Sequence, residues 1–433
     1  GFPGAAVSDW VWAVETTDGA ANAGLDIEMP VGQHFGADLV DAVQQGTIDE
    51  AVVDAAVARI LRTKRCFGLA LGEPTLDPSL RLTPAHLDLA QRVAERGSVL
   101  LHNDGAMPID AGLSIAVTGR LADVENIGDT GSSNVDAPDV STVLEGMQTH
   151  ASDRTVMLVD ETDAAALASA DVVVVVVGLT AEDEGEDFIG AGDRADLRLS
   201  TEDLTTIARA SAASDRVMVV LQGGGAIVVD DWIDDVQGIL MVWYPGARGG
   251  DAVARLLYGT VPPAGRMPLT VPHVESDLPP FDNTSLVVTY DPFHGYRHLD
   301  RTGVSARFAF GFGLSTTSFA WGPAEPETTT LSDATQWTVV VPVTNTGDRD
   351  GVETVQLYGG PTITDPRRPA RKLLAFAQVD VAPGETVDAV LTVDTEDLRI
   401  HEDGLWQTIP GAYTFEVARS SAETIETLDL TLR

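Results

Sequence analysis

The rhythm of apolar and polar positions changes along the chain. Between residues 84 and 275 the apolar residues come in short β-branched runs without polar alternation: SVLLHND, SIAVTG, TVMLVD, DVVVVVVGL, RVMVVLQ and GILMVWY. Such runs predict strands buried on both faces of a mainly parallel sheet. Helical stretches such as AHLDLAQRVAERG and TEDLTTIARASAA lie between them, so an open α/β sandwich is expected. Over 326–433 the pattern alternates instead. QWTVVVPVTNTGD, ETVQLYGG, LLAFAQVDVAPGE, TVDAVLTVD and GAYTFEVARS turn side chains in and out, with turn residues between them. That is the pattern of an all-β sandwich. A Pro-rich crossover at 276–325 joins the two. Residues 1–75 fit neither rhythm. They predict a strand over 4–8, a helix over 17–23, and a helix in DEAVVDAAVARILRTK. There Val52, Val53, Ala56 and Ile60 share one face, as in a core-packed helix. GLALGEPTLDPSLRLTP then reads as an extended linker.

Charge narrows the function. With 66 acidic and 27 basic residues the net charge is −39, and only Lys64 and Lys372 are lysine. The acids are spread along the chain as a solvated coat, which repels nucleic acid and anionic membranes. No apolar run approaches the roughly 18–20 residues of a membrane span. The single cysteine, Cys66, cannot form an intrachain disulfide and reads as a packed thiol at a helix end. Secreted and cytoplasmic bacterial locations both fit.

Ligands of open α/β sheets, and substrates of barrels, sit beyond the carboxyl ends of strands. Asp9 ends the first predicted strand, beside Trp10. The loop after DVVVVVVGL, TAEDEGEDFIGAGDR, holds Glu182, Asp183, Glu184, Glu186 and Asp187. Paired carboxylates and an aromatic wall suit glycoside cleavage, although a capping aspartate and a solvated acidic turn are the commoner roles of such residues. Gly223-Gly224-Gly225 lacks G-x-G-x-x-G spacing and predicts a sharp strand-to-loop turn. His294 and His298 lack an H-E-x-x-H context, so no metal site is expected. Ser132-Ser133 lacks the context of a nucleophile elbow and suggests a hydrogen-bonding loop.

GFPGAAVSDW followed by AANAGLDIEMP resembles the nucleophile segment of glycoside hydrolase family 3. The likeness continues in order through GTIDEAVVDAAVARILR, AERGSVLLHNDGAMPID, GDTGSSNV, VVVVVGLTAEDEGEDFIGAGDRADLRLS, VWYPGARGGDAVARLLYGTVPPAGRMPLTVP, HGYRHLD and FAFGFGLSTTSF. It implies the C-terminal part of a TIM-like barrel (1–75), an α/β sandwich (84–275), a crossover (276–325) and a fibronectin type III-like β-sandwich (326–433). It further implies a retaining exo-acting β-glucosidase without metal or organic cofactor. In that reading Asp9 is the nucleophile and Trp10 the aromatic wall. Glu182 is the first choice for the acid/base and Glu184 the second, the two catalytic carboxyls lying about 5–5.5 Å apart. Asp193 and Arg194 match a loop-shaping D-R pair. The implied substrate is a β-glucoside or oligosaccharide; a β-xylosidase or an inactive sugar-binding scaffold is the alternative. The family's K-H-F and E-x-F-G-E-D-P segments are absent, so the expected partner is an N-terminal barrel portion of the same enzyme. Homo-oligomerisation stays open.

Overall fold

The computed structural model describes residues 2–69, 77–128, 131–184, 194–282, 285, 287–402 and 404–433. Two compact units result, Gly1–Arg81 and Leu82–Arg433.

In the first unit, β1 (Val7–Trp10) pairs in parallel with β2 (Ile27–Met29). Helices α1 (Thr17–Ala23), α2 (Ala37–Gln45) and α3 (Glu50–Cys66) accompany them. The first strand begins later than the apolar run predicts. The reason is local: Asp26 Oδ2 takes the Ala6 N–H at 2.7 Å, which a ladder would otherwise use. On α3, Val52, Val53, Ala56 and Ile60 do share the less exposed face, but none is fully buried. Cys66 is exposed, contrary to the packed thiol expected, because the helix end that carries it has no core to enter.

The second unit opens with α4 (Pro84–Gly97) and a six-stranded sheet. Its strands are β3 (Val99–Asn103), β4 (Ser114–Thr118), β5 (Thr155–Leu158), β6 (Val172–Gly178), β7 (Val217–Gln222) and β8 (Gly238–Trp243), in the order β3-β8-β7-β6-β4-β5. Only the β3–β8 pairing is antiparallel. The unbroken apolar runs divide by the two-residue period of a strand. Val173, Val175 and Val177 of β6 enter one core with Val219 and Ile239, whereas Val172, Val174 and Val176 enter the opposite core with Val220 and Leu240. Helices α5 (Val143–Thr149), α6 (Ala164–Ser169), α8 (Thr201–Ala213) and α9 (Gly249–Leu257) and the single turn α7 (Ala181–Glu184) punctuate the strands. One expectation fails at the edge: β5, the last strand of the order, is mostly exposed.

Helix α10 (Tyr296–Thr302) lies in the crossover. The β-sandwich follows, with Gln336–Asn345 against Thr386–Asp394 in one sheet and Lys372–Val381, Gly351–Pro361, Gly411–Ser420 and Glu423–Leu432 in the other. The strand Phe319–Trp321, inside the predicted crossover, already pairs with Gln336–Asn345. Alternating Val339, Val341 and Val343 meet Leu357, Leu391 and Phe415 in the core, and Trp337 packs edge-on to Phe415 at 5.4 Å. Sandwich and α/β sheet are tied by a buried ion pair, Arg266 to Glu353 at 2.9 Å.

Candidate active site

The two regions singled out by the acid pattern lie in different units, and each has its own geometry. In the first unit the Ser8 hydroxyl donates to the Asp9 carbonyl oxygen at 2.7 Å and accepts the Met29 N–H at 2.9 Å, locking β1 to β2. Asp9 is the third residue of β1 and is exposed; its Oδ1 accepts the Trp10 N–H at 2.7 Å. Val11 follows with φ 57°. A β-branched residue in the left-handed region is strained, and the strain accompanies a tight reversal in which Trp12 N–H returns to the Trp10 carbonyl at 2.7 Å. Trp10 and Trp12 are 58% and 88% exposed, so both indoles are presented rather than packed.

Behind this edge stand two carboxylates that sequence reasoning did not single out. Asp26 accepts from Arg59 Nη2 at 2.6 Å and Nε at 2.9 Å, joining β2 to α3. The arginine holds its carboxyl below the ordinary value. Glu28 accepts the backbone N–H groups of His34 and Phe35 at 2.9 and 2.7 Å. Both acids belong to the quoted GLDIEMP segment, so the signal lay in the motif and not in any charge pattern.

In the second unit the convergence occurs at the carboxyl ends of β4, β6, β7 and β8. The Glu184 carboxylate, at the end of α7, accepts the Gly224 N–H beyond β7 and the Tyr244 hydroxyl beyond β8, the latter at 2.9 Å. Arg194 Nε stands 3.8 Å from its other oxygen. The glycine triplet forms the expected turn, and it also makes room for the acid. A Cβ on Gly224 would lie 2.7 Å from Glu184 Oε1 and 3.1 Å from the Tyr244 ring. Burial, reinforced by the Glu184 charge, pushes the Tyr244 phenol well above its ordinary value, so it remains a hydrogen-bond donor. Ala181, Glu184, Gly224, Gly225 and Tyr244 line an open concavity of about 370 Å³.

Asp183 turns the other way. It accepts the Thr180 N–H and hydroxyl at 2.8 and 3.0 Å and meets Arg120 at 3.4 Å. Arg120 in turn bonds buried Asp203 at 3.0 Å, so one guanidinium anchors both α7 and α8. This leaves Glu182 exposed; among the described residues only its backbone N–H is engaged, to Thr180 Oγ1 at 3.3 Å. Glu186, Asp187 and Asp193 lie outside the described residues. Tyr244 and Arg120 were missed by sequence reasoning; the available signal was position, since each lies within two residues of the carboxyl end of a strand of the mainly parallel sheet. Among the described residues no group of three acids, histidines or cysteines could hold a metal ion.

Both family models that match the chain fall in its second unit. Residues 98–316 match the family model for the glycosyl hydrolase family 3 C-terminal domain, and residues 353–421 match a fibronectin type III-like domain. An exo-α-(1→6)-L-arabinopyranosidase of Bifidobacterium breve is 30% identical, covering 100% of this chain and 59% of its own length. The thermostable β-glucosidase B of Acetivibrio thermocellus is 29% identical, over 98% of this chain and 58% of its own. The chain thus spans under two-thirds of those relatives. The crystal structure of a β-D-glucoside glucohydrolase from Trichoderma reesei superposes with a TM-score of 0.89 at 26% identity, covering 100% of this chain and 68% of that one.

Proposed function

The chain belongs to glycoside hydrolase family 3, and from that premise we propose that it carries the catalytic carboxylates of a retaining exo-acting β-glucosidase. Asp9 attacks the anomeric carbon as the bond to the leaving oxygen breaks, and an acid protonates that oxygen. The same residue, now a base, deprotonates the water that releases the sugar from Asp9 with its configuration retained. The observation that carries the assignment of Asp9 is its open position at the end of β1: apart from the Trp10 N–H, no partner occupies its carboxyl among the described residues. Trp10 is the aromatic wall.

For the acid/base, the surroundings favour Glu184 over Glu182. A carboxyl that must give and take a proton at one place needs a fixed position. Glu184 has one, whereas Glu182 is an exposed side chain on a single turn. The Tyr244 hydroxyl suits both halves of the cycle, because it can donate to the carboxylate and accept from the acid.

A second reading, a pentopyranosidase such as a β-xylosidase, is favoured by the likeness to the arabinopyranosidase. Relative rates on aryl β-glucoside, β-xyloside and α-L-arabinopyranoside separate the two. Either activity is proposed for the chain together with the N-terminal barrel portion that its longer relatives suggest. Support comes from the first unit, where Val7, Val31, Val40 and Leu61 are each more than half exposed.

With that partner present, Asp9→Ala should abolish turnover, and azide should restore it as the glycosyl azide of inverted configuration. Glu184→Ala should slow an aryl glucoside with a poor leaving group at least 100-fold more than a dinitrophenyl glucoside, a contrast within the range of general acid catalysis. If Glu182→Ala gives that contrast and Glu184→Ala does not, the acid/base assignment falls. If Asp9→Ala retains activity, the whole reading falls.

A further inference from the structure

In a chain with 66 carboxylates, cations without an acidic partner stand out, and two of them line one cavity. Helix α10 docks on the strand Lys372–Val381 through the Leu373 N–H, which donates to Tyr296 Oη at 3.2 Å. A bidentate pair, Arg371 to Asp300 at 2.9 and 3.0 Å, strengthens the contact. That docking sets Arg297 of α10 and Lys372 into the same wall. The cavity, about 200 Å³, is otherwise lined largely by apolar groups, including Pro361, Pro369, Leu398, Ile409 and Tyr413.

The other cations of this cavity are satisfied. Arg368 pairs with Glu402 at 3.0 Å, Arg371 with Asp300, and Arg399 with Asp333 at 3.0 Å. Among the described residues Arg297 and Lys372 have no ion pair. Arg297 Nε is buried without a hydrogen-bond partner. Burial holds the Lys372 ammonium below its ordinary value; the charge of Asp397 opposes this without an ion pair, and that of Arg297 adds to it. Two neighbouring like charges in a partly desolvated wall repel each other, and an anion held between them offsets that repulsion.

We propose that this cavity, between α10 and the β-sandwich, is an anion site that takes a small oxyanion, a carboxylate or an inorganic phosphate or sulfate, bridged between Arg297 and Lys372. The guanidinium supplies directed N–H donors and the ammonium a compact point charge, and the apolar walls keep water from screening either. Its size is below that of the usual 300–1,000 Å³ drug-sized ligand pocket, which limits the occupant to a small anion or one acidic group of a larger molecule.

The test uses the full chain in a zwitterionic low-salt buffer. Thermal melts and calorimetry are run with inorganic phosphate, sulfate and D-glucuronate, against D-glucose and against sodium chloride at equal ionic strength. At least one oxyanion should raise the melting temperature by a few degrees more than chloride does. R297Q and K372M should each weaken its binding at least tenfold. In anion-free buffer R297Q should melt at or above the unmodified protein, because one of two repelling charges is gone and Arg297 has no ion pair to lose among the described residues. R209Q, which removes a surface cation paired to Glu161, should leave the response unchanged. A response to phosphate and sulfate alone identifies an inorganic oxyanion; a response to glucuronate alone identifies a carboxylate. No oxyanion effect beyond chloride overturns the proposal. So does undiminished binding in either variant, or a lower melt of R297Q in anion-free buffer.

Discussion

Among the described residues, each unit buries one aspartate against one arginine. Asp26 with Arg59 and Asp203 with Arg120 both have aspartate side chains only 1% exposed, and Arg–Asp distances of 2.6 and 3.0 Å. Their titrations nevertheless run in opposite directions. Both oxygens of Asp26 are occupied, by the guanidinium and by the Ala6 N–H, and the charged form is favoured. Asp203 gives one oxygen to Arg120 and keeps Oδ2 buried without a partner, so burial outweighs the arginine and its carboxyl rises above the ordinary value. An ion pair is therefore not a unit of stability by itself. The count of donors and the depth of the surrounding core decide its sign. The surroundings differ in the same sense: Asp203 belongs to α8, whose Ile207 and Ala210 enter a packed core, while Asp26 belongs to a unit whose helix α3 has no fully buried residue.

The sharpest way to break this contrast is to charge one valine in each unit. Val175→Asp, on a strand buried on both faces, should cost more than about 4 kcal/mol and abolish cooperative unfolding of the second unit, because nothing there can satisfy a carboxylate. Val7→Asp should stay within about 0.5 kcal/mol in this chain, since that side chain is already in water. Urea melts followed by far-UV circular dichroism compare them, and equal losses would erase the distinction.

Next in size is Arg120→Met. It leaves Asp203 buried and unpaired and frees Asp183, so the second unit should lose about 3–5 kcal/mol. Activity should fall as well, because α7 loses its anchor while the Glu184 ligands remain.

A smaller effect sharpens the comparison through its sign. The folded value of Asp26 lies below the ordinary 3.8, so its contribution is present above that pH and is lost as pH falls through the folded value. The folded value of Asp203 lies above 3.8, so the fold binds its proton more tightly than the unfolded chain does. Its contribution therefore grows as pH falls through the folded value and is complete below 3.8. Asp26→Asn should remove an acid-side loss and Asp203→Asn an acid-side gain, read from unfolding free energy between pH 3 and 6. Identical slopes in the two variants would contradict the opposed environments. The smallest change expected is Cys66→Ser, within about 0.5 kcal/mol, because the thiol is exposed.

Much of the second unit was legible in its residues. The valine run of β6 could only be a strand buried on both faces, and the alternation in Gln336–Asn345 could only be a strand with one face in a core. The edge position of β5 was not legible, because neighbour order is a long-range property and TVMLVD carries the same local pattern as a central strand. In the first unit the motif located Asp9, but it did not predict that the strand would start later or that Val11 would take a strained turn.

What the sequence determined by itself was therefore periodic or local: the strand and helix faces, the two sheet classes, and the placement of carboxylates at strand ends. These follow from side-chain spacing, which the backbone imposes without reference to distant residues. Tertiary structure alone decided that Glu184 rather than Glu182 would be held. A single helical turn points neighbouring residues in different directions, and the donors for Glu184 come from Gly224 and Tyr244, far along the chain. It likewise set Arg297 and Lys372 into one cavity wall without an ion pair among the described residues, a consequence of docking that no local pattern could reveal.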